Sequence, residues 1–166
     1  MKGKILAIDY GRVRIGLAIS DPERRFAFPL EVYTRGQPTC GHPGRKAASL
    51  DPFFDKLDQL IREENVTLLL VGLPVRGDGR EDQMAAEVRQ FSARLAQHSG
   101  LPVVHYDERY TSVLAESLLW QAGLTHAQRK QRRDKLAAQL LLQAYLEAGC
   151  PAETPPGALD APEATP

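Results

Sequence analysis

The sequence predicts an α/β domain on a mixed five-stranded sheet, an antiparallel three-stranded meander plus two parallel strands, with helices on both faces. Three observations predict it. Three apolar runs crowd into residues 3–33 with no room for helices between them, so they should pair as antiparallel neighbours. Two further apolar runs, near residues 66–71 and 102–106, are each reached through a segment of helical periodicity, as parallel strands joined by crossovers are. Strand and helix do not alternate from the start, which argues against a Rossmann arrangement.

Residues 3–9 are almost continuously apolar and end in Asp9; residues 14–20 form a second run that ends at Ser20 and Asp21. The intervening "DYGRV" carries Gly11 and makes a hairpin of the two. A third strand falls at 26–33, where Pro29 predicts an edge or a bulge. The stretch 34–50 is rich in Gly, Pro and polar residues and reads as a long loop. Asp51 and Pro52 then look like a helix start, and Phe53, Leu57, Leu60 and Ile61 follow at helical spacing. After the strand at 66–71, a helix over 81–97 carries Met84, Val88, Phe91 and Leu95 on one stripe. The strand at 102–106 is followed by Asp107 and Glu108, a third helix from Thr111 to Gly123, and a last helix over 126–148. Residues 149–166 are Pro- and Ala-rich and are expected to be a disordered tail on a domain of residues 1–148.

The 166 residues suffice for one domain with a full core. Formal net charge is zero, so any role in binding nucleic acid must rest on a local basic patch. The two cysteines are far apart and fit a reducing cytoplasm rather than a disulfide framework. The chain enters a strand pattern at once, without the apolar core of a signal peptide, and no run approaches a membrane span, so no membrane partner is expected.

Three carboxylates fall at informative places. Asp9 ends the first strand and Glu108 follows the strand at 102–106. Asp134 lies one side of the last helix with Ala137, Ala138, Leu141 and Tyr145, an apolar side that should face the sheet. Inward carboxylates are costly unless cations or donors satisfy them, and three together repel. Oxygen ligands of this kind suit Mg²⁺ or Mn²⁺, and two such ions can promote phosphodiester hydrolysis. Each residue also has a plainer reading. Asp9 can open a turn before Gly11, Asp107 and Glu108 can form an exposed loop capped by Thr111, and Asp134 can pair with Lys130 or Arg133. Periodicity alone does not bring the three together.

The motifs around these residues resemble those of one family. "IDYGRVRIGLAISD", "LLLVGLPVRGDG", "DERYTSVLAE" and "RRDKLAAQLLLQAYL" resemble, in order, the four motifs of the YqgF or RuvX family, Holliday-junction-resolvase-like proteins of the ribonuclease H-like superfamily. The match covers residues 3–148. It implies a metal-dependent nuclease whose substrate is the 5′ end of precursor 16S ribosomal RNA, acting in ribosome biogenesis. It also implies that Asp9, Glu108 and Asp134 are the catalytic and metal-binding set. The third motif has Ser112 beside Thr111 where two threonines are usual, and the loop at 34–50 is longer than the family pattern.

Basic residues accompany all three acids: Arg12 and Arg14 near Asp9, Arg109 after Glu108, and Arg129, Lys130, Arg132, Arg133 and Lys135 around Asp134. They form the expected phosphate-binding set, against the plainer reading of a solvated helix face. Gly72, Gly77 and Gly79 in "GLPVRGDG", with Thr111, are read as a loop that approaches the substrate backbone, or simply as a strand-to-helix connection. The expected partners are precursor ribosomal RNA or branched DNA, with ribosomal particles and a second copy of the chain as further partners. Competing readings are a junction-resolving DNA endonuclease, a nucleotide-binding module like the actin and sugar-kinase ATPases, and a non-catalytic ribosome-assembly factor.

Overall fold

A computed structural model describes residues 2–35, 52–76, 78–109, 123 and 125–151, without the side chains of 129–131 and 133–135. The elements are β1 (Lys4–Asp9), β2 (Arg14–Ser20), β3 (Ala27–Thr34), α1 (Phe53–Glu64), β4 (Val66–Leu73), α2 (Gln83–Ser99), β5 (Val103–Asp107) and α3 (His126–Glu147). They build one five-stranded sheet in the order β3-β2-β1-β4-β5. β1 is central, antiparallel to β2 and parallel to β4, and β4 is parallel to β5. The predicted meander and parallel pair are both present.

The central place of β1 explains its unbroken apolar run. Ile5, Leu6, Ala7 and Ile8 are all fully buried, because a central strand is covered on both faces. Leu6 and Ile8 pack with Phe53, Phe54 and Leu57 of α1 and with Val88, Phe91 and Leu95 of α2. Ile5 and Ala7 point the other way, into a cluster with Ala18, Ala27 and Leu70 and with Ala138, Leu141, Leu142 and Tyr145 of α3. Burial of each leucine or phenylalanine side chain contributes about 1.5–3 kcal/mol. The second face is lined by alanines, and small side chains let α3 approach closely.

Local chemistry sets the element ends. Asn65 ends α1 in the left-handed region, and Gly100 does the same for α2. Asp82 caps α2 by accepting from the Met84 and Ala85 amides, so that helix starts two residues later than the periodicity predicts. Thr125 and Gln128 form a reciprocal capping box at the start of α3. β3 is an edge strand, and its register slips between Glu31 and Pro29, leaving Leu30 as a bulge. Pro29 thus sits in both settings the sequence allowed. Pro52 has helical dihedrals, and its carbonyl accepts from the Asp55 amide. Asp51, residues 36–50 of the predicted loop, residues 111–122 of the predicted third helix, and the tail from 152 onward lie outside the described residues.

Candidate active site

The parallel strands β1, β4 and β5 end on the same sheet edge. Asp9 is the last residue of β1. On β4, Val71 lies beside Ile8, so Gly72 is level with Asp9. On β5, Tyr106 lies beside Gly72 and Asp107 beside Leu73, and the Glu108 amide donates to the Leu73 carbonyl at 3.1 Å. Glu108 is therefore one strand removed from Asp9. Neighbouring strands lie about 4.8 Å apart, so its carboxyl can reach Asp9 only by crossing over β4.

Gly72 makes that crossing possible. A Cβ on Gly72 would stand 2.6 Å from Glu108 Oε1 and 3.1 Å from its Cγ, with Leu141 Cδ2 of α3 at 3.2 Å. Any side chain there would occupy the space of the Glu108 carboxyl. The sequence reading placed Gly72 in a substrate loop. The structure puts it inside β4, which runs two residues further than its apolar run, and gives it the task of clearing room for Glu108.

Glu108 is hydrogen-bonded to Asp9, and its pKa is raised to about 8. Burial is the largest cause, followed by the Asp9 charge and the shared hydrogen bond, then Asp107. At neutral pH Glu108 thus keeps its proton and donates it to Asp9. Two carboxyls sharing one proton form a site that a divalent cation can occupy by displacing it. The hard oxygen donors fit Mg²⁺ or Mn²⁺.

The third predicted acid, Asp134, lies in α3, one turn before buried Ala138 and two turns before Leu141, which reaches Gly72. α3 therefore passes against the acidic pair, while the Asp134 side chain lies outside the described residues. Among the described residues no three metal-ligating side chains form a group.

The basic residues divide. Arg14 and Arg132 are exposed. Arg12 donates to both carboxylate oxygens of Glu87, with Nε–Oε2 3.0 Å and Nη2–Oε1 2.5 Å. Arg109 is tied to Asp107, through its amide at 2.9 Å, Nε at 2.9 Å and Nη2 at 2.8 Å. Asp107 and Glu108 are adjacent in sequence, yet Asp107 holds a cation and Glu108 meets an acid. The side chains of Arg129, Lys130, Arg133 and Lys135, and all of Gly77 and Thr111, lie outside the described residues. Gly79 has φ +82° and spends its amide on the Arg76 carbonyl, so it closes its own turn. Sequence reasoning missed Glu87, Tyr10 and Arg35, which surround the β1–β2 turn; no local signal links residues so far apart.

The profile described as "RuvX: Holliday junction resolvase" matches residues 3–148. The chain belongs to the RuvX family. A protein of Rhodopirellula baltica named "Putative pre-16S rRNA nuclease" is 40% identical over 146 residues, covering 88% of this chain and 78% of its own. A protein of the same name from Maridesulfovibrio salexigens is 38% identical over 143 residues, covering 86% and 97%. Thermus thermophilus RuvC, solved with a Holliday junction substrate, shares the fold, with TM-score 0.51, 16% identity and coverage of 89% of this chain and 96% of that one. The RuvX family is a nuclease family, so the acidic edge is the candidate centre of a phosphodiester hydrolase. No described helix of this member is long and apolar enough to cross a membrane.

Proposed function

We propose that this RuvX-family nuclease hydrolyses phosphodiester bonds near the 5′ end of precursor 16S ribosomal RNA, in the cytoplasm and on ribosomal particles. One observation carries the reading: the Glu108 carboxyl lies over Gly72 of β4 and meets Asp9, 99 positions away in the sequence, at the ends of parallel strands. The names of the relatives support the choice of substrate.

Asp9 and Glu108 would hold Mg²⁺ or Mn²⁺, with Asp134 of α3 as the third carboxylate. Such an ion, when bound, supplies an activated water and charge stabilisation at the leaving oxygen. The chain does the rest. Gly72 lets Glu108 lie flat over β4, and the Glu108 amide anchors its backbone to Leu73. The exposed Arg14 and Arg132, with Arg129, Lys130 and Arg133 on the first turns of α3, provide phosphate contacts that fix the register of the substrate. Residues 1–148 form the nuclease domain in this reading, and 149–166 a dispensable tail.

A second reading, resolution of four-way DNA junctions by a dimer, is favoured by the family's own description. One experiment tests both. Cleavage of a precursor 16S 5′ fragment and of a four-way junction is measured with Mg²⁺ and with Mn²⁺, alongside particle size. The RNA should be cut faster, and Asp9→Asn should abolish cutting while leaving RNA binding intact. Preferential cleavage of the junction by a dimer supports the second reading. Cleavage that survives Asp9→Asn refutes the proposed centre.

A further inference from the structure

The β1–β2 turn that follows Asp9 is held from several sides. The Tyr10 ring packs on Phe91 of α2, with centroids 4.7 Å apart, and the Arg35 guanidinium lies 5.2 Å above Tyr10 and 5.7 Å from Phe91. Arg35 also donates to the Gly11 carbonyl at 3.3 Å through Nη1, and to the Val13 carbonyl at 2.7 Å through its amide. Gly11 sits so close to the Arg14 carbonyl that a Cβ would collide with it. On this fixed base Arg12 stands out, 62% exposed, in a two-pronged pair with Glu87 of α2.

We infer that Glu87 is the displaceable counterion of Arg12: a phosphodiester backbone arriving beside Asp9 takes over the guanidinium, and Glu87 stays behind with Tyr10 and Arg35. This rests on the nuclease reading and adds a specificity device to it. The guanidinium fork fits two oxygens of a phosphate as well as those of a carboxylate. The pair is at the surface, where solvent screens it, so it is weak and readily exchanged. Glu87 has somewhere to rest. The Tyr10 hydroxyl faces it as a donor, and the Arg35 charge acts on it, though Arg12 is the main cause of its lowered pKa. Until a polyanion arrives the turn carries no net charge from this pair, which suppresses loose binding beside the acidic centre.

The test uses the full chain in EDTA, so that binding is separated from cleavage, with a labelled RNA hairpin and a labelled four-way DNA junction. Glu87→Gln should tighten binding by up to about fivefold, the loss of a weak surface competitor. Arg12→Gln should weaken binding and reduce the slope of log K against log salt by about 0.7–0.9, one phosphate contact. In the Arg12→Gln background the Glu87→Gln gain should fall below about twofold, because Glu87 is then neutralised by Arg35. A gain that persists undiminished in that background means simple repulsion and overturns the inference. So does an unchanged salt slope in Arg12→Gln, which leaves the nuclease reading standing. If wild type binds neither probe, that reading falls and the inference with it. Tightening on one probe alone identifies which backbone Arg12 reads.

Discussion

Asp9 and Asp21 look alike in the sequence, each closing an apolar run, yet the fold gives them opposite surroundings. β2 runs antiparallel to β1, so the two aspartates sit at opposite ends of the sheet. Asp21 accepts from the amides of Glu23, Arg25 and Phe26 at 3.1, 2.6 and 2.7 Å, and its pKa is lowered, chiefly by the Phe26 amide. Nearby, Arg24 donates to the carbonyls of Lys2 and Gly3 and to Thr67, and Lys4 pairs with Glu64. Asp9 instead meets a second carboxyl, whose pKa rises to about 8. At one end of the sheet the aspartate is satisfied by backbone amides; at the other it meets a second carboxyl. The lesson is that an aspartate's role is read from what the neighbouring strands bring to it.

The sharpest way to break the comparison is to neutralise each aspartate. Asp9→Asn should lower cleavage by at least about 10³-fold, with melting little changed because the asparagine amide oxygen can still accept from Glu108. Asp21→Ala should leave cleavage within about twofold. It should lower Tm by about 2–4 °C, as expected for about 1 kcal/mol in a chain of this length, a modest loss because the group is near solvent. Equal effects on activity would erase the distinction between the two ends.

Next in size is Gly72→Ala. The nearest obstacle to its Cβ is the movable end of Glu108, so folding should survive with a small loss of Tm while Glu108 is pushed away from Asp9. A displacement of about 1 Å can cost about 10² in rate, and kcat should fall by that order. Restored activity at tenfold higher Mn²⁺ would sharpen the assignment, since the damage is to the ligand geometry.

The two ends should also respond oppositely to pH. The folded state binds Glu108's proton up to about pH 8, whereas the unfolded chain releases it near the ordinary glutamate value of 4.5. Stability from this group is therefore complete below about 4.5 and lost as pH rises toward about 8. Asp21 has the reverse sign: its contribution is present above its unfolded value and lost in acid. In EDTA, Tm should decline between pH 5 and 8 more steeply in wild type than in Glu108→Gln, and added Mg²⁺ or Mn²⁺ should raise it more at pH 8 than at pH 6. Identical slopes in the two proteins would contradict the shared proton. The smallest effect is expected at the Pro-rich tail. Removal of residues 152–166 should shift neither Tm nor cleavage measurably.

Much of the fold was legible because its signals are local. The unbroken run at 5–8 marks a central strand, the Phe53–Leu57–Leu60 spacing marks the buried face of α1, and Pro29 marks an edge. The candidate site was half legible. Asp9 and Glu108 stood out as acids at strand ends. Gly72 did not, because a glycine reads as a turn former unless its neighbour across the sheet is known. Arg12 and Arg109 read as free cations, because Glu87 lies 75 positions from Arg12 and nothing nearby distinguishes Asp107 from Glu108 as the partner of Arg109.

By itself the sequence determined which of the described segments are strands and helices, and that acids and bases gather at their ends, since apolar periodicity, caps and turns act within a few residues. Only the tertiary structure decided which charges meet. Strand order put β4 between Asp9 and Glu108, register set Gly72 level with Asp9 and under the Glu108 carboxyl, and α2 carried Glu87 to Arg12. Electrostatic energy depends on distance in space, and distance in space is fixed by the packing of the whole sheet.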